Sequence, residues 1–145
     1  MVDSDPANGV AADNNAETCP CGTLRAYGAC CGLVHHKGAG LGVSAEQLMR
    51  ARYSAYEKHD AAFLLASWHP DHRPEQVDFS TGVQWHGLEV VATTAGDVLD
   101  ATGTVEFKAR FERGGQRLEL HELSRFERFE SRWVYVDGID PDLSA

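Results

Sequence analysis

The stretch TGTVEFKARFERGGQRLELHELSRFERFESRWVYVDG, Thr102–Gly138, decides the fold. From Thr102 to Arg113 apolar and charged residues alternate. Val105, Phe107, Ala109 and Phe111 carry one parity, and Glu106, Lys108 and Arg110 the other. A period of two marks a strand with one buried and one wet face. Gly114-Gly115 then supplies a tight hairpin turn. Gln116–Glu130 reads as a long second strand, Glu130-Ser131 as another reversal, and Arg132–Val136 as the last strand. Upstream, Val83, Trp85, Leu88, Val90 and Val91 predict a strand bulged near Gly87, followed by the turn region AGDVLDATG. The sum is an antiparallel meander of about four strands.

Helices precede it. In SAEQLMRARYSAYEKHD, Ser44 and Gln47 have capping-box spacing for a helix running to about His59. Leu48, Ala51, Ala55 and His59 form one side of it, and Met49, Tyr53 and Tyr56 widen the apolar face. Asp60 caps a second helix from Ala61 to about Trp68, with Phe63, Leu64 and Trp68 apolar, and Pro70 stops it. Helices first and sheet after predict an α+β fold with the helices on one face of the sheet.

All four cysteines lie in TCPCGTLRAYGACCG, Thr18–Gly32, spaced Cys19-x-Cys21-x8-Cys30-Cys31. Bridges within either pair would close very small, strained rings, whereas cross-pair bridges stay open to oxidation. A redox pair would ordinarily show C-x-x-C, which is absent. A structural zinc cage fits better, because tetrahedral zinc takes four soft ligands. Pro20 stiffens the first arm, and Gly22, Gly28 and Gly32 allow backbone turns around the sulfurs. His35 and His36 lie just beyond and can replace a sulfur. Four thiolates already close the shell, so both histidines read as spare, and the metal as structural rather than catalytic.

Bulk composition sets limits. There are 22 acids against 13 bases, a net charge of −9, and the basic residues are scattered, which argues against nucleic-acid binding. No apolar run approaches the ~20 residues that span a bilayer, and the start has no secretory pattern, so the expected location is cytoplasmic. Residues 1–17 read as a disordered acidic tail.

The cysteine spacing, with CPCG opening, Tyr27 before the second pair and CCG closing, resembles the SEC-C motif. This is the zinc knuckle found at the C-terminus of the SecA translocase and in many bacterial proteins. The resemblance implies zinc ligation by Cys19, Cys21, Cys30 and Cys31. Knuckles that dock partners are typically lysine-rich between the pairs. GTLRAYGA offers only Arg25, which weakens docking of a protein partner and favours a structural cap. The knuckle together with LMRARYSAY, WHP, FKARF and SRFERFESRWVYVDG is similar to the YchJ family of uncharacterised bacterial proteins. That resemblance implies a nuclear transport factor 2-like domain, a curved sheet wrapping helices into a cone, often with a pocket. The implied organisation is a knuckle at 18–37, the glycine-rich linker HHKGAGLG, and the cone domain at 43–141. The family supplies no established reaction.

Strand parity gives candidate pocket residues. Leu118 and Leu120 share a face, and Glu122 is next on it. A carboxylate there would have a raised pKa and could act as a base. Trp133, Tyr135 and Asp137 also share a parity, and Trp68, His69 and Trp85 would join them at the cone mouth. Against this, Arg110, Arg125 and Arg128 can pair with Glu122 or Asp137, His69 can cap carbonyls, and tryptophans more often fill a core. His69, His72 and His86 match no metal cage. No catalytic set is recognisable. The first expectation is a non-catalytic binding or interaction protein with a structural zinc. The alternative is a small-molecule-binding protein, or a hydrolase- or isomerase-like enzyme using the pocket.

Overall fold

The alternating stretch becomes a four-stranded sheet. Strands β1 (Gln84–Ala95), β2 (Thr102–Arg113), β3 (Gln116–Phe129) and β4 (Arg132–Ile139) pair antiparallel in sequence order. The computed structural model describes residues 15–37 and 43–141. Most of the expected tail, residues 1–14, and the glycine stretch 38–42 lie outside the described residues. Between β2 and β3 the register runs unbroken from Thr102↔Glu127 to Arg113↔Gln116. Val105, Phe107 and Ala109 therefore share an inner face with Ser124, Glu122 and Leu120 opposite them. β1 slips between Trp85 and Gly87, where the bulge was expected, and again between Val90 and Ala92. β4 slips once: Arg125 pairs with Asp137, but Phe126 pairs with Tyr135. The extra residue, Val136, breaks the simple alternation of that strand.

Among the described residues the sheet is preceded by the helices α1 (Cys31–Lys37), α2 (Ala45–Glu57) and α3 (Ala61–Ala66). Ser44 and Gln47 form the capping box of α2, with the Gln47 N–H donating to Ser44 Oγ at 3.1 Å and the Ser44 N–H to Gln47 Oε1 at 2.9 Å. Leu48, Ala51, Arg52 and Ala55 are buried along one side. The helix stops at Glu57, short of His59, which takes φ +58°. Asp60 caps α3 through the Phe63 N–H at 3.1 Å. α3 ends at Ala66 rather than near Trp68, because the next residues do something else. Tyr135 N–H donates to Ser67 O, and His69 N–H donates to Tyr135 O, both at 2.8 Å. This short parallel bridge, centred on Trp68 and Tyr135, covers part of the open edge of β4.

The cysteine segment packs against α2 and β1. His35, His36 and Lys37, read from the sequence as the start of a linker, are the last turn of α1. Glu17, read as tail, accepts a hydrogen bond from the Tyr27 N–H at 2.7 Å. Arg50 Nη1 donates to Cys21 O at 2.7 Å. Gly22 takes φ +92°, and a Cβ there would stand 3.0 Å from Leu88 O, so the approach to β1 needs glycine. His35 ties the segment to α2: its Nε2 donates to Ala51 O at 2.9 Å, and its Nδ1 accepts from the Tyr27 hydroxyl. These two bonds fix one neutral tautomer. Its ring also meets Phe63, centroid to centroid, at 4.5 Å.

Two expectations can be measured. Glu130 and Ser131 turn β3 into β4 with φ of +51° and +70°, which non-glycine residues adopt at a cost. Replacing the pair by Asn-Gly should stabilise the chain by about 1 kcal/mol in urea denaturation. Burial lowers the His35 pKa below its ordinary value. The neutral imidazole then stabilises the fold fully above the unfolded value of about 6.5, and this is lost as the pH falls. His35→Ala should cost about 2 kcal/mol at pH 7.5. The gap from wild type should narrow toward pH 5.5; a gap that widened on acidification would mean the folded ring is charged.

Candidate functional site

Two groups of side chains stand out, on opposite sides of α2. The first is the sulfur cluster. Thr18 bridges Ala26, and the Cys19 N–H donates to Arg25 O at 2.7 Å, so a tight turn presents Cys19 and Cys21. A short 3-10 turn, Tyr27–Ala29, then delivers Cys30 and Cys31 at the start of α1. Gly32 makes this fold-back feasible, since a Cβ there would come within 2.7 Å of Tyr27 O. The four Sγ atoms lie within 4.8 Å of one another, with Cys19, Cys21 and Cys31 buried and Cys30 half-buried. Such a set can hold a metal ion. Thr23 Oγ1 lies 3.2 Å from Cys30 Sγ, and Ser54 Oγ on α2 lies 3.5 Å from Cys19 Sγ. Hydrogen bonds with Cys19 and Cys31 pull the Cys21 thiol down to about 3, while hydrogen bonds with Cys19 and Cys21, together with burial, push Cys31 up. His35 uses both ring nitrogens elsewhere, and His36 is exposed.

The second group surrounds a cavity of about 260 Å³ between α2 and the inner face of the sheet. Met49, Arg52, Tyr53 and Tyr56 of α2 form one wall; Trp85, Phe107, Ala109, Leu120 and Phe126 form the apolar part of the other. Its polar floor is Glu122, Ser124 and Tyr135. Glu122 Oε2 accepts from Ser124 Oγ at 2.8 Å and from the Tyr135 hydroxyl at 3.3 Å. Beside the carboxylate lies Gly138, where a Cβ would collide with Glu122 at 2.1 Å. Among the described residues no Lys, Arg or His nitrogen comes within 4 Å of that carboxylate.

Arg52 is only 5% exposed. Its Nη1 donates to Leu64 O at 2.9 Å and to Ser67 Oγ at 2.6 Å. Its guanidinium packs over the rings of Trp68, 4.6 Å away, and Tyr135, 4.4 Å away, which stand edge-on to each other. Burial lowers its pKa to about 10, with Tyr56, Tyr135 and Glu122 opposing the shift, so the group is charged at neutral pH. Burial also pushes Tyr135 up, well above an ordinary phenol, so its hydroxyl keeps its proton and donates.

The pocket residues read from the sequence separate here. Trp85 and Glu122 line the cavity. Trp68 stands behind it, against Arg52 and edge-on to Tyr135 at 5.3 Å. The other three lie elsewhere. Trp133 is fully buried as core, with the Arg128 guanidinium over its ring at 4.5 Å. His69 pairs with Glu127 at 3.2 Å instead of reaching the cavity. Asp137, displaced by the Val136 bulge, pairs with Arg125 on the outer face through two bonds of 2.6 and 2.5 Å. Among the polar residues of the cavity, Arg52, Tyr56 and Ser124 had no place in the sequence reading of the pocket, whereas Tyr135 shared the parity of Trp133 and Asp137 there. The signal for Arg52 was its position four residues after Leu48, on the buried side of α2.

Comparison with known proteins agrees with this architecture. Residues 44–138 match the model of the YchJ middle NTF2-like domain. The chain is 48% identical over 120 residues to a UPF0225 protein of Streptomyces coelicolor, covering 83% of this chain and 93% of that one. It is 47% identical over 122 residues to a UPF0225 protein of Bordetella pertussis, covering 83% and 90%. The solution structure of a SEC-C motif containing protein from Rhodopseudomonas palustris superposes with a TM-score of 0.72 at 31% identity, covering 86% of this chain and 98% of that one. The crystal structure of a SEC-C motif containing protein from Psychrobacter arcticus gives 0.67 at 28% identity, covering 86% and 82%. No described helix is long and apolar enough to cross a membrane. With its helices laid on one face of an antiparallel sheet and its cysteine knuckle ahead of them, the chain belongs to the UPF0225 family, whose middle domain is the NTF2-like domain of YchJ.

Proposed function

We propose that this protein is a non-catalytic binding protein: a structural zinc holds the knuckle, and the cavity of the NTF2-like domain takes a small molecule. The observation that carries the reading is a half-buried carboxylate, Glu122, that faces a cavity of about 260 Å³ and has no Lys, Arg or His nitrogen within 4 Å among the described residues. A carboxylate oxygen that accepts no hydrogen bond beside an apolar cavity is costly to leave unanswered. The volume, equal to the share of about nine liquid waters, suits a ligand of one or two rings. Zinc is favoured at the knuckle by the donor set and its spacing. Four thiolates at about 2.3 Å around a tetrahedral ion stand about 3.8 Å apart. Cys21 Sγ and Cys30 Sγ are already 3.6 Å apart. Bound there, the ion would cross-link the turn to α1 and leave no open position for chemistry. The location expected from the sequence is the cytoplasm, where reducing conditions keep such thiols available.

Metal analysis of the purified chain should give one zinc per molecule. Cys30→Ser should lower zinc content and cut the midpoint of thermal unfolding by several degrees, about what loss of 1–2 kcal/mol produces in a domain of this size. Unchanged zinc in that variant would refute the four-thiolate site. For the cavity, indole added to the zinc-loaded chain should shift amide resonances around Trp85 and Phe107. Leu120→Trp, which fills the cavity mouth, should abolish those shifts. An indole titration that moved none of them would overturn the cavity reading.

A further inference from the structure

The cavity has a polarity of its own. Its apolar surface is largely aromatic: Trp85 meets Tyr53 at 5.8 Å, Tyr56 at 6.4 Å and Phe111 at 5.3 Å, so its indole is held on several sides. Walls of this kind favour a flat ring, which packs by stacking or edge contact. The hydrogen-bonding capacity is one-sided. Ser124 and Tyr135 both donate to Glu122 Oε2, while Oε1 receives no hydrogen bond among the described residues. Gly138 leaves the room that the carboxylate itself occupies. The nearby cation is partly committed elsewhere: Arg52 Nη1 serves Leu64 O and Ser67 Oγ, and the guanidinium packs on the rings of Trp68 and Tyr135. An anionic ligand would meet the Glu122 carboxylate on the cavity floor. A purely apolar one would leave Oε1 desolvated and unpaired.

Resting on the cavity-binding reading above, we infer that the pocket selects a planar heteroaromatic compound whose edge presents two adjacent N–H groups to Glu122 Oε1, as 2-aminobenzimidazole or protonated 2-aminopyridine does. Both N–H groups converge on Oε1, whose two acceptor sites are open, in the charge-assisted hydrogen bonds that make such contacts strong. The ring body lies against Trp85 and Phe107, and Leu120, 37% exposed, borders the entrance.

The test compares three probes of similar size on the zinc-loaded full chain by amide chemical-shift titration at pH 7. They are 2-aminobenzimidazole, indole and indole-2-carboxylate. The expected order places 2-aminobenzimidazole roughly 10–100-fold tighter than indole, the range of a hydrogen bond to a charged group, and indole-2-carboxylate weakest. Glu122→Gln should remove that advantage, bringing 2-aminobenzimidazole down to the affinity of indole. Gly138→Ala keeps the charge but forces the carboxylate aside, and should also erode the preference; it carries the test if the glutamine variant fails to fold. If indole or the carboxylate binds as tightly as the amine, or if neither variant changes the order, the donor-selective inference is overturned while the cavity reading stands. If no probe moves the cavity resonances, both fall.

Discussion

The buried guanidinium of Arg52 is the interaction on which the interior is arranged. Removing a cation from water is expensive, and burial lowers its pKa to about 10. The charge persists because several elements answer it at once. The end of α3 supplies Leu64 O and Ser67 Oγ; Trp68 and Tyr135 supply ring faces. To do so, the chain after α3 must leave the helix and run beside β4. The bridge of Ser67 and His69 to Tyr135 is the backbone form of that demand. One side chain thus couples the middle of α2, the end of α3 and the outer edge of the sheet. A buried ion pair or cation is weak evidence for stability, and a well-packed apolar substitute is often as stable. Its presence is better explained by the space it organises next to itself.

α2 is the partition between the two sites. Helical periodicity sends Arg50, Ala51 and Ser54 toward the knuckle, where they meet Cys21 O, His35 Nε2 and Cys19 Sγ. The same periodicity sends Met49, Arg52, Tyr53 and Tyr56 to the cavity. Small residues at Ala51, Ser54 and Ala55 let the knuckle come close without a groove. The sulfur cluster can therefore brace the helix without contributing a group to the cavity. The cysteines and the cavity are thus separate sites on one helix.

Strand positions, both reversals and both helix caps were legible in the sequence, because each rests on residues close together in the chain. The cysteine set was legible for the same reason. What failed to carry over depended on long-range packing. α3 is shorter than its apolar pattern because Trp68 and His69 are recruited to the edge of β4. The residues His35–Lys37 looked like the start of a glycine-rich linker, yet continue α1, because His35 has Ala51 and Tyr27 to bond. Arg52 was passed over as one of several scattered bases, although its helical position marked it as inward-facing. A charged residue on an apolar helix face is informative only once its partners are known, and those are 12 to 15 residues away along the chain.

Glu122 and Asp137 show how narrowly such partners decide a role. Both are carboxylates two residues beyond inward-facing neighbours, so alternation gives them equal standing as cavity groups. β3 keeps its register past Glu122, and the carboxylate stays inside. β4 takes one extra residue at Val136, and Asp137 turns outward to Arg125. There the ion pair lowers its pKa, since the guanidinium bonds the charged form. A surface pair of this kind contributes little to stability. Its effect is on the other acid. With Asp137 outside, Glu122 keeps the cavity without a second negative charge, and Gly138, just past the bulge, leaves room for its carboxylate. A single inserted residue in an edge strand therefore separates a surface ion pair from a carboxylate that lines the cavity.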